Sequence, residues 1–355
     1  MKLGLVGLPI SGKTTIFNAL TGQQRPTSVA TPGKIDVQFA VVDVPDPRLD
    51  ELEEIFQPEK KVEAKITYAD IGGLAKGISE GGLSGPFRTQ LSQMDAFLHV
   101  IRAFDDPSVP HPEETVDPQR DLEIFDGEFL LSDLILVENR ITRLKEEMDR
   151  GKDRAANAKE LEIFEKLQDA LENETPLRNV EFSDIESQAL RGYGFLTLKP
   201  KLVLLNMGEE LTDPASLVDA GDQPVMAIQG QIEAEISQLD ADEAQEFLAE
   251  YGIDEPVRGR VIRESFDLLS VQVFYTVGED EVRAWTTHIG ATAQQAAGVI
   301  HSDLERGFIR AEIVPVDTLL EMGGLTAVRQ AGKLRLEGKD YIMQEGDVMS
   351  VRFNV

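Results

Sequence analysis

Gly7-Leu8-Pro9-Ile10-Ser11-Gly12-Lys13-Thr14 is the stretch that decides the fold. It fits G-x-x-x-x-G-K-[ST]. Before it, Leu3-Gly4-Leu5-Val6 reads as a buried strand, and after it residues 14–20 read as a helix. That strand–loop–helix context separates a phosphate loop from a chance match. Glycines let backbone N–H groups converge on phosphate oxygens, and the helix N-terminus adds its dipole. Lys13 then serves the β- and γ-phosphates, and the Thr14 hydroxyl serves Mg²⁺. A glycine-rich turn with no ligand is the bland alternative, and motif, position and context together argue against it.

Working outward, residues 37–44 and 65–69 read as strands of a hairpin or meander, and Ala96-Phe97-Leu98-His99-Val100-Ile101 as another buried strand. Strands alternating with helices predict an α/β domain with a mostly parallel sheet over 1–120. Character changes over 121–194. Leu130, Leu134, Val137, Ile141, Leu144 and Met148 form a near-heptad stripe; Leu161, Phe164, Leu167 and Leu171 form a second one after Gly151. Two such helices with a short polar connection predict an inserted antiparallel hairpin that projects from the body. Residues 195–270 return to α/β, with strands at 201–206 and 224–228 and a helix at 242–251. The last piece, 271–355, reads as a small α+β module with strands at 271–277, 282–287, 334–336 and 348–353 and one helix at 292–306.

The 355 residues carry 35 Lys+Arg against 64 Asp+Glu, a net charge of −29, with 41% hydrophobic residues and no Cys. That apolar content supports real cores. The charge argues against broad attachment to nucleic acid or anionic membrane, so no specific DNA contact is expected. Without Cys there are no disulfides, thiolate metal sites or Cys nucleophiles. No run approaches a membrane span, and no signal peptide is read at the N-terminus, so a soluble cytoplasmic protein is expected.

Two further motifs bear on the chemistry. Asp70-Ile71-Gly72-Gly73 reads as D-x-x-G. Asp70 is placed to hold Mg²⁺, directly or through water, and the Gly73 amide to sense the γ-phosphate. Asn206-Met207-Gly208-Glu209 ends a strand where base recognition occurs in such domains. Guanine-specific proteins place Asn-Lys-x-Asp there. Glu209 in place of Asp and Met207 in place of Lys predict that guanine preference weakens, leaving ATP favoured over GTP.

With these motifs in place, the chain resembles the YchF/Obg-like ATPase branch of the translation-factor GTPases. The resemblance extends to Val44-Pro45-Asp46-Pro47-Arg48-Leu49-Asp50 and to the C-terminal stretches Glu281-Val282-Arg283-Ala284-Trp285-Thr286, Gly290-Ala291-Thr292-Ala293, Gly307-Phe308-Ile309-Arg310-Ala311-Glu312 and Leu336-Glu337-Gly338-Lys339-Asp340-Tyr341. The last part is similar to that family's TGS domain, a β-grasp module. The resemblance implies a P-loop NTPase domain, an inserted coiled-coil hairpin and a C-terminal TGS domain. It also implies nucleoside triphosphate hydrolysis and a translation-related partner such as the ribosome. It places Leu8, Pro9, Thr15 and the run Gln229-Gly230-Gln231 at the nucleotide beside the residues above.

The chain departs from the family in places. Asn is usual where Ile10 stands, and in potassium-activated relatives that Asn helps hold a monovalent cation. The switch-one Thr aligns on Lys34, with Thr31 the nearest threonine. Leu74 stands where small GTPases carry a water-orienting Gln. His111 falls where the family has a loop His suggested for that task; an exposed loop His is the equal alternative. Trp285 and Tyr341 read as packing residues. The C-terminal module has eight basic and twelve acidic residues, no footprint for RNA by itself. By contrast, residues 140–159 hold seven basic residues and four acidic ones around Gly151. An ordinary solvated helix tip laced with i,i+4 pairs is the equal alternative; the sharper reading is that the tip meets ribosomal RNA, with the TGS domain making a second contact.

Overall fold

The computed structural model describes residues 1–26, 36–72, 83–251, 253 and 255–354. Gly73, Leu74, Thr31 and Lys34 lie outside them. Contacts divide the chain into two units. One holds Met1–Ala40 and Thr67–Arg260; the other holds Val41–Ile66 and Val261–Val355.

In the first unit the strands expected from the sequence form a six-stranded sheet. Its strands are β1 (Lys2–Val6), β2 (Asp36–Val44), β4 (Ala64–Gly72), β5 (Ala96–Ala103), β6 (Lys201–Met207) and β7 (Val225–Ile228), in the order β2-β4-β1-β5-β6-β7. The pairs β1/β4, β1/β5, β5/β6 and β6/β7 are all parallel. Order reverses at β1, so the loop after β1 opens at a topological switch point, where open α/β sheets bind ligands. That loop is the phosphate-loop motif, leading into α1 (Lys13–Thr21).

Helices α2 (Pro47–Phe56) and α3 (Gly85–Ser92) precede the hairpin, whose arms are α4 (Pro118–Asp149) and α5 (Arg154–Glu172). Asp117 caps α4 by accepting from the Arg120 N–H, with Pro118 at the first helical position, a favourable N-terminal pair. Val137, Ile141, Phe164, Leu167 and Leu171 bury the seam between the arms. At the base, Asp133 is fully buried and accepts from Leu196 N at 3.0 Å, Thr197 N at 2.7 Å and Thr197 Oγ1 at 2.8 Å, which fixes where the chain leaves the hairpin. Beyond it come α6 (Asp184–Leu190), α7 (Gly230–Ile236), α8 (Ala241–Glu250) and α9 (Val257–Leu269).

The second unit differs from the sequence-based division in two respects: it takes residues 41–66, expected with 1–120, and it begins at Val261, ten residues before the expected boundary at 271. The reason for the first is visible in the pairing. Short β3 (Lys60–Val62) lies parallel to β9 (Glu281–His288), extending the sheet β11-β10-β12-β8-β9-β3 made with β8 (Val271–Thr276), β10 (Phe308–Pro315), β11 (Arg335–Glu337) and β12 (Asp347–Phe353). The motif around Asp46 serves the same unit. Asp46 caps α2, accepts from the Tyr275 hydroxyl and pairs with Arg48, which also reaches Glu345 at 2.8 Å.

β10 is a strand the sequence reading missed. The helix expected over 292–306 is two, α10 (Ala293–Ile300) and α11 (Ser302–Arg306), because His301 is extended and caps α11 by accepting from the Asp303 N–H. Two short helices, α12 (Val316–Met322) and α13 (Leu325–Gln330), were also unread. One helix packed over a mixed sheet, with Phe274, Ala293, Ala296, Ala311, Ile313 and Met349 as its core, is the β-grasp arrangement. Trp285 packs at the edge of this core, its Nε1–H donating to Thr276 Oγ1 at 2.9 Å, and Tyr341 donates to Asp347 at 2.9 Å.

Candidate functional site

The phosphate loop takes its shape from two glycines. Gly7 has φ +144°, and a Cβ there would lie 2.2 Å from the Val100 carbonyl oxygen; Gly12 has φ +94°. Neither conformation suits a residue with a side chain. Ile10 also has positive φ, +63°, unusual for a β-branched residue. The loop ends at the N-terminus of α1, whose first N–H groups have no partner earlier in the helix and so suit an anion.

Lys13 Nζ donates to the carbonyls of Gly7 at 3.1 Å and Leu8 at 2.7 Å, so its ammonium lies within the loop. Burial pushes its pKa down to about 8, opposed by the charge of Asp70. Asp70 is 2% exposed at the end of β4, and its Oδ2 accepts from the Thr14 hydroxyl at 2.9 Å. The two expected metal ligands are therefore adjacent, although 56 residues apart in sequence. Oxygen donors, one carboxylate and one hydroxyl beside a phosphate-binding helix end, suit Mg²⁺, which takes few protein ligands and completes its shell with phosphate and water. No cluster of three or more His, Cys, Asp or Glu able to hold a metal occurs among the described residues.

The remaining expected residues divide into those at the loop and those turned elsewhere. Asn206 is buried, its Nδ2 donating to the Ser11 carbonyl at 3.0 Å and its Oδ1 accepting from the Gly230 N–H at 3.1 Å. It braces the loop, with both ends of its amide engaged. Met207 is buried with Ile101, Leu122, Val203 and Leu205, so its side chain belongs to the core. Leu8 is likewise a core side chain, and Ser11 is buried. Pro9 and Thr15 are half-buried on the loop and first turn.

Glu209 is exposed just past β6, and its carbonyl accepts from Gln229 Nε2 at 2.6 Å. Gln231 points along α7 to Glu235 at 2.7 Å. His111 is buried, not an exposed loop residue. Its Nε2 meets Asp121 Oδ2 at 2.9 Å, and its Nδ1 accepts from the Glu113 N–H at 3.1 Å. With Nδ1 an acceptor, Nε2 carries the proton toward Asp121.

Sequence reading missed one residue at the centre of this group. Arg25 Nη1 lies 2.6 Å from Asp70 Oδ2, the same oxygen that Thr14 uses. It stands in the polar run Gly22-Gln23-Gln24-Arg25-Pro26, which matches no motif.

Residues 2–140 match the family model described as 50S ribosome-binding GTPase, and residues 271–354 match the model YchF-GTPase_C, described as a protein of unknown function. The chain is 42% identical to the ribosome-binding ATPase YchF of Bacillus subtilis (strain 168), with all of both chains covered. It is 40% identical to the protein of that name from Escherichia coli O157:H7, covering all of this chain and 99% of the relative. It is 36% identical to Obg-like ATPase 1 of Caenorhabditis elegans, covering 92% of that protein. The solved structure of the Schizosaccharomyces pombe YchF GTPase superposes with a TM-score of 0.83 at 32% identity, covering 99% of this chain and 97% of that one. Order of elements, phosphate loop, inserted hairpin and C-terminal β-grasp unit agree with these full-length likenesses, and the chain belongs to the YchF family.

Proposed function

We propose that the chain is a Mg²⁺-dependent nucleoside triphosphatase of the cytoplasm that prefers ATP to GTP and binds the ribosome. The observation that carries the reading is the Thr14–Asp70 pair at 2.9 Å beside Lys13 and the N-terminus of α1. Thr14 and Asp70 would hold the ion, which when bound offsets charge on the phosphate oxygens. Lys13 binds the β- and γ-phosphates, and Asn206 keeps the loop in its anion-binding shape. The relatives' names, ribosome-binding ATPase and Obg-like ATPase, support the nucleotide and the partner.

ATP preference rests on the base-side residues. Glu209 is a longer carboxylate on an exposed turn, and Met207 offers no side chain to the base because it faces the core. Guanine's N1–H and amino group then lack a placed carboxylate acceptor, a charged hydrogen bond worth about 1.5–3 kcal/mol. Water orientation is assigned to His111, whose ring must leave Asp121 to act. That same engagement favours a second reading, a nucleotide-dependent binding switch with little turnover.

Calorimetric titration with ATP, GTP and non-hydrolysable analogues, followed by single-turnover hydrolysis, tests all of this. ATP is expected to bind at least as tightly as GTP, and Asp70→Asn to weaken the response of nucleotide binding to Mg²⁺ and to slow hydrolysis. A tenfold GTP preference would sink the ATP assignment. His111→Ala should slow hydrolysis with affinity unchanged; an unaltered rate removes it from the mechanism.

A further inference from the structure

Arg25 belongs to none of the nucleotide motifs, yet its place is fixed from two sides. Asn18, a buried residue of α1, accepts from the Arg25 N–H at 3.1 Å and donates from Nδ2 to the Arg25 carbonyl at 2.8 Å. One residue earlier, Gln24 Nε2 donates to Gln238 Oε1 at 2.6 Å, and Gln238 in turn donates to the Gly22 carbonyl at 3.2 Å. Arg25 is thereby fastened to α1, and the residues before it to Gln238, just past α7. From that anchor the guanidinium reaches Asp70 Oδ2 at 2.6 Å.

This position conflicts with a metal ion. An octahedral Mg²⁺ holds its oxygen ligands at about 2.0–2.1 Å and keeps several waters around itself. A guanidinium nitrogen hydrogen-bonded to the same carboxylate oxygen fills the space those waters need. The two cations would also repel each other at short range in a poorly solvated setting. Lys13, whose ammonium interacts with Asp70, adds a third positive charge nearby. Arg25 and the ion therefore compete for one carboxylate.

We propose that Arg25 is the resident counter-ion of the metal carboxylate. It neutralises Asp70 when no divalent ion is bound and is displaced when the ion arrives, so it sets how strongly nucleotide binding depends on metal. The anchored backbone keeps the guanidinium ready to return when the ion leaves. This inference rests on the reading of Thr14 and Asp70 as the metal pair.

The test uses the full chain, a fluorescent non-hydrolysable ATP analogue and Mn²⁺, with nucleotide affinity measured in EDTA and across a Mn²⁺ titration, and bound Mn²⁺ counted by electron paramagnetic resonance. In Arg25→Gln the carboxylate loses its counter-ion. Affinity in EDTA should fall, because an uncompensated Asp70 faces the triphosphate. The Mn²⁺ concentration at half-effect should drop roughly tenfold, the size expected for losing a charged hydrogen bond. Arg25→Lys keeps the charge and should shift the midpoint less; equal shifts for the two variants overturn the proposal. Asp70→Asn separates the levels. If it keeps the wild-type Mn²⁺ dependence, the metal pair itself is misread and the proposal falls with it. If Asp70→Asn weakens that dependence while Arg25→Gln keeps the wild-type midpoint, the role of Arg25 alone is overturned.

Discussion

Asn206 and Gly230 fit together without spare room: the Asn206 Oδ1 accepts from the Gly230 N–H at 3.1 Å, and a Cβ on Gly230 would lie 2.5 Å from that same oxygen. The other end of the amide meets the loop, where a Cβ on Gly12 would lie 2.1 Å from Nδ2. One side chain is thus clasped between two glycines, one at each end of the site. Its two hydrogen bonds hold Ser11 to the start of α7.

The first prediction follows directly. Gly230→Ala pushes a methyl against Asn206 and against Ile16 Cδ1, which would be 2.7 Å away. Relief requires Asn206 to move, and the brace on Ser11 moves with it. Overpacking of this kind costs about 1–3 kcal/mol. Denaturant unfolding should report that loss, and titration should show weaker nucleotide binding. Full stability together with wild-type affinity would mean that the brace is dispensable.

The second concerns pH. Burial holds the Lys13 pKa down to about 8, with Asp70 opposing. Bound phosphates favour the ammonium, so affinity is full below about pH 8. It falls as pH rises through that value, approaching tenfold per unit until the bound-state pKa is reached. Stability runs the other way. A folded-state pKa below the unfolded value of about 10.4 means that the charged form is penalised in the fold, and the penalty lifts between about pH 8 and 10.4. Affinity unchanged from pH 7 to 9.5 would contradict the placement of Lys13.

The third uses Ile10. A β-branched residue at φ +63° carries strain of roughly 1–2 kcal/mol, whereas Asn tolerates that region. Ile10→Asn should therefore raise the unfolding free energy by about 1 kcal/mol. Ile10 supplies no oxygen donor, so hydrolysis by the unaltered chain should be similar in potassium and sodium at equal ionic strength. Strong potassium activation would show another group in that role.

These residues also show what a sequence can and cannot give. The phosphate loop, Asp70 and Asn206 were legible because each is a short local pattern with its own physical reason. Arg25 was not, since 45 residues separate it from Asp70 and nothing periodic marks a lone arginine in a polar run. The pairing Lys60↔Glu281 was equally hidden, because a three-residue strand has too few positions to show alternation. In β10 a register irregularity between Phe308 and Arg310 breaks the two-residue period, so the strand was missed. Met207 stands where guanine-specific proteins place Lys, and motif position alone does not tell where its side chain goes. Packing decides that, and a Lys at that position would put an ammonium into an apolar cluster.

The last prediction concerns the hairpin tip and the proposed ribosome contact. Sequence alone counted seven basic residues there, and the structure divides them. Arg140 is bidentate to Glu160 at 2.8 Å for both bonds, Lys145 pairs with Glu165 at 3.6 Å, and Arg150 with Glu146 at 3.2 Å. Those charges are largely spent on the hairpin itself. Arg143, Lys152, Arg154 and Lys159 are exposed and make no ion pair among the described residues. Lys152 and Arg154 sit on a turn that Asn157 closes by donating to the Lys152 carbonyl at 3.2 Å, so they are presented on fixed backbone. An RNA phosphate offers each of them a partner, while the acidic remainder of the chain, −29 overall, repels other phosphates. Co-sedimentation with ribosomes should then weaken as salt rises, with a log–log slope of roughly −0.7 to −0.9 per phosphate contact. Replacing Lys152, Arg154 and Lys159 together by Glu should weaken co-sedimentation and flatten that slope, while nucleotide hydrolysis by the free protein stays the same. Replacing Arg150 by Glu should matter less, because its charge is already met by Glu146. If the triple variant sediments like the unaltered chain at every salt concentration, the tip is a solvated turn and the ribosome contact lies elsewhere.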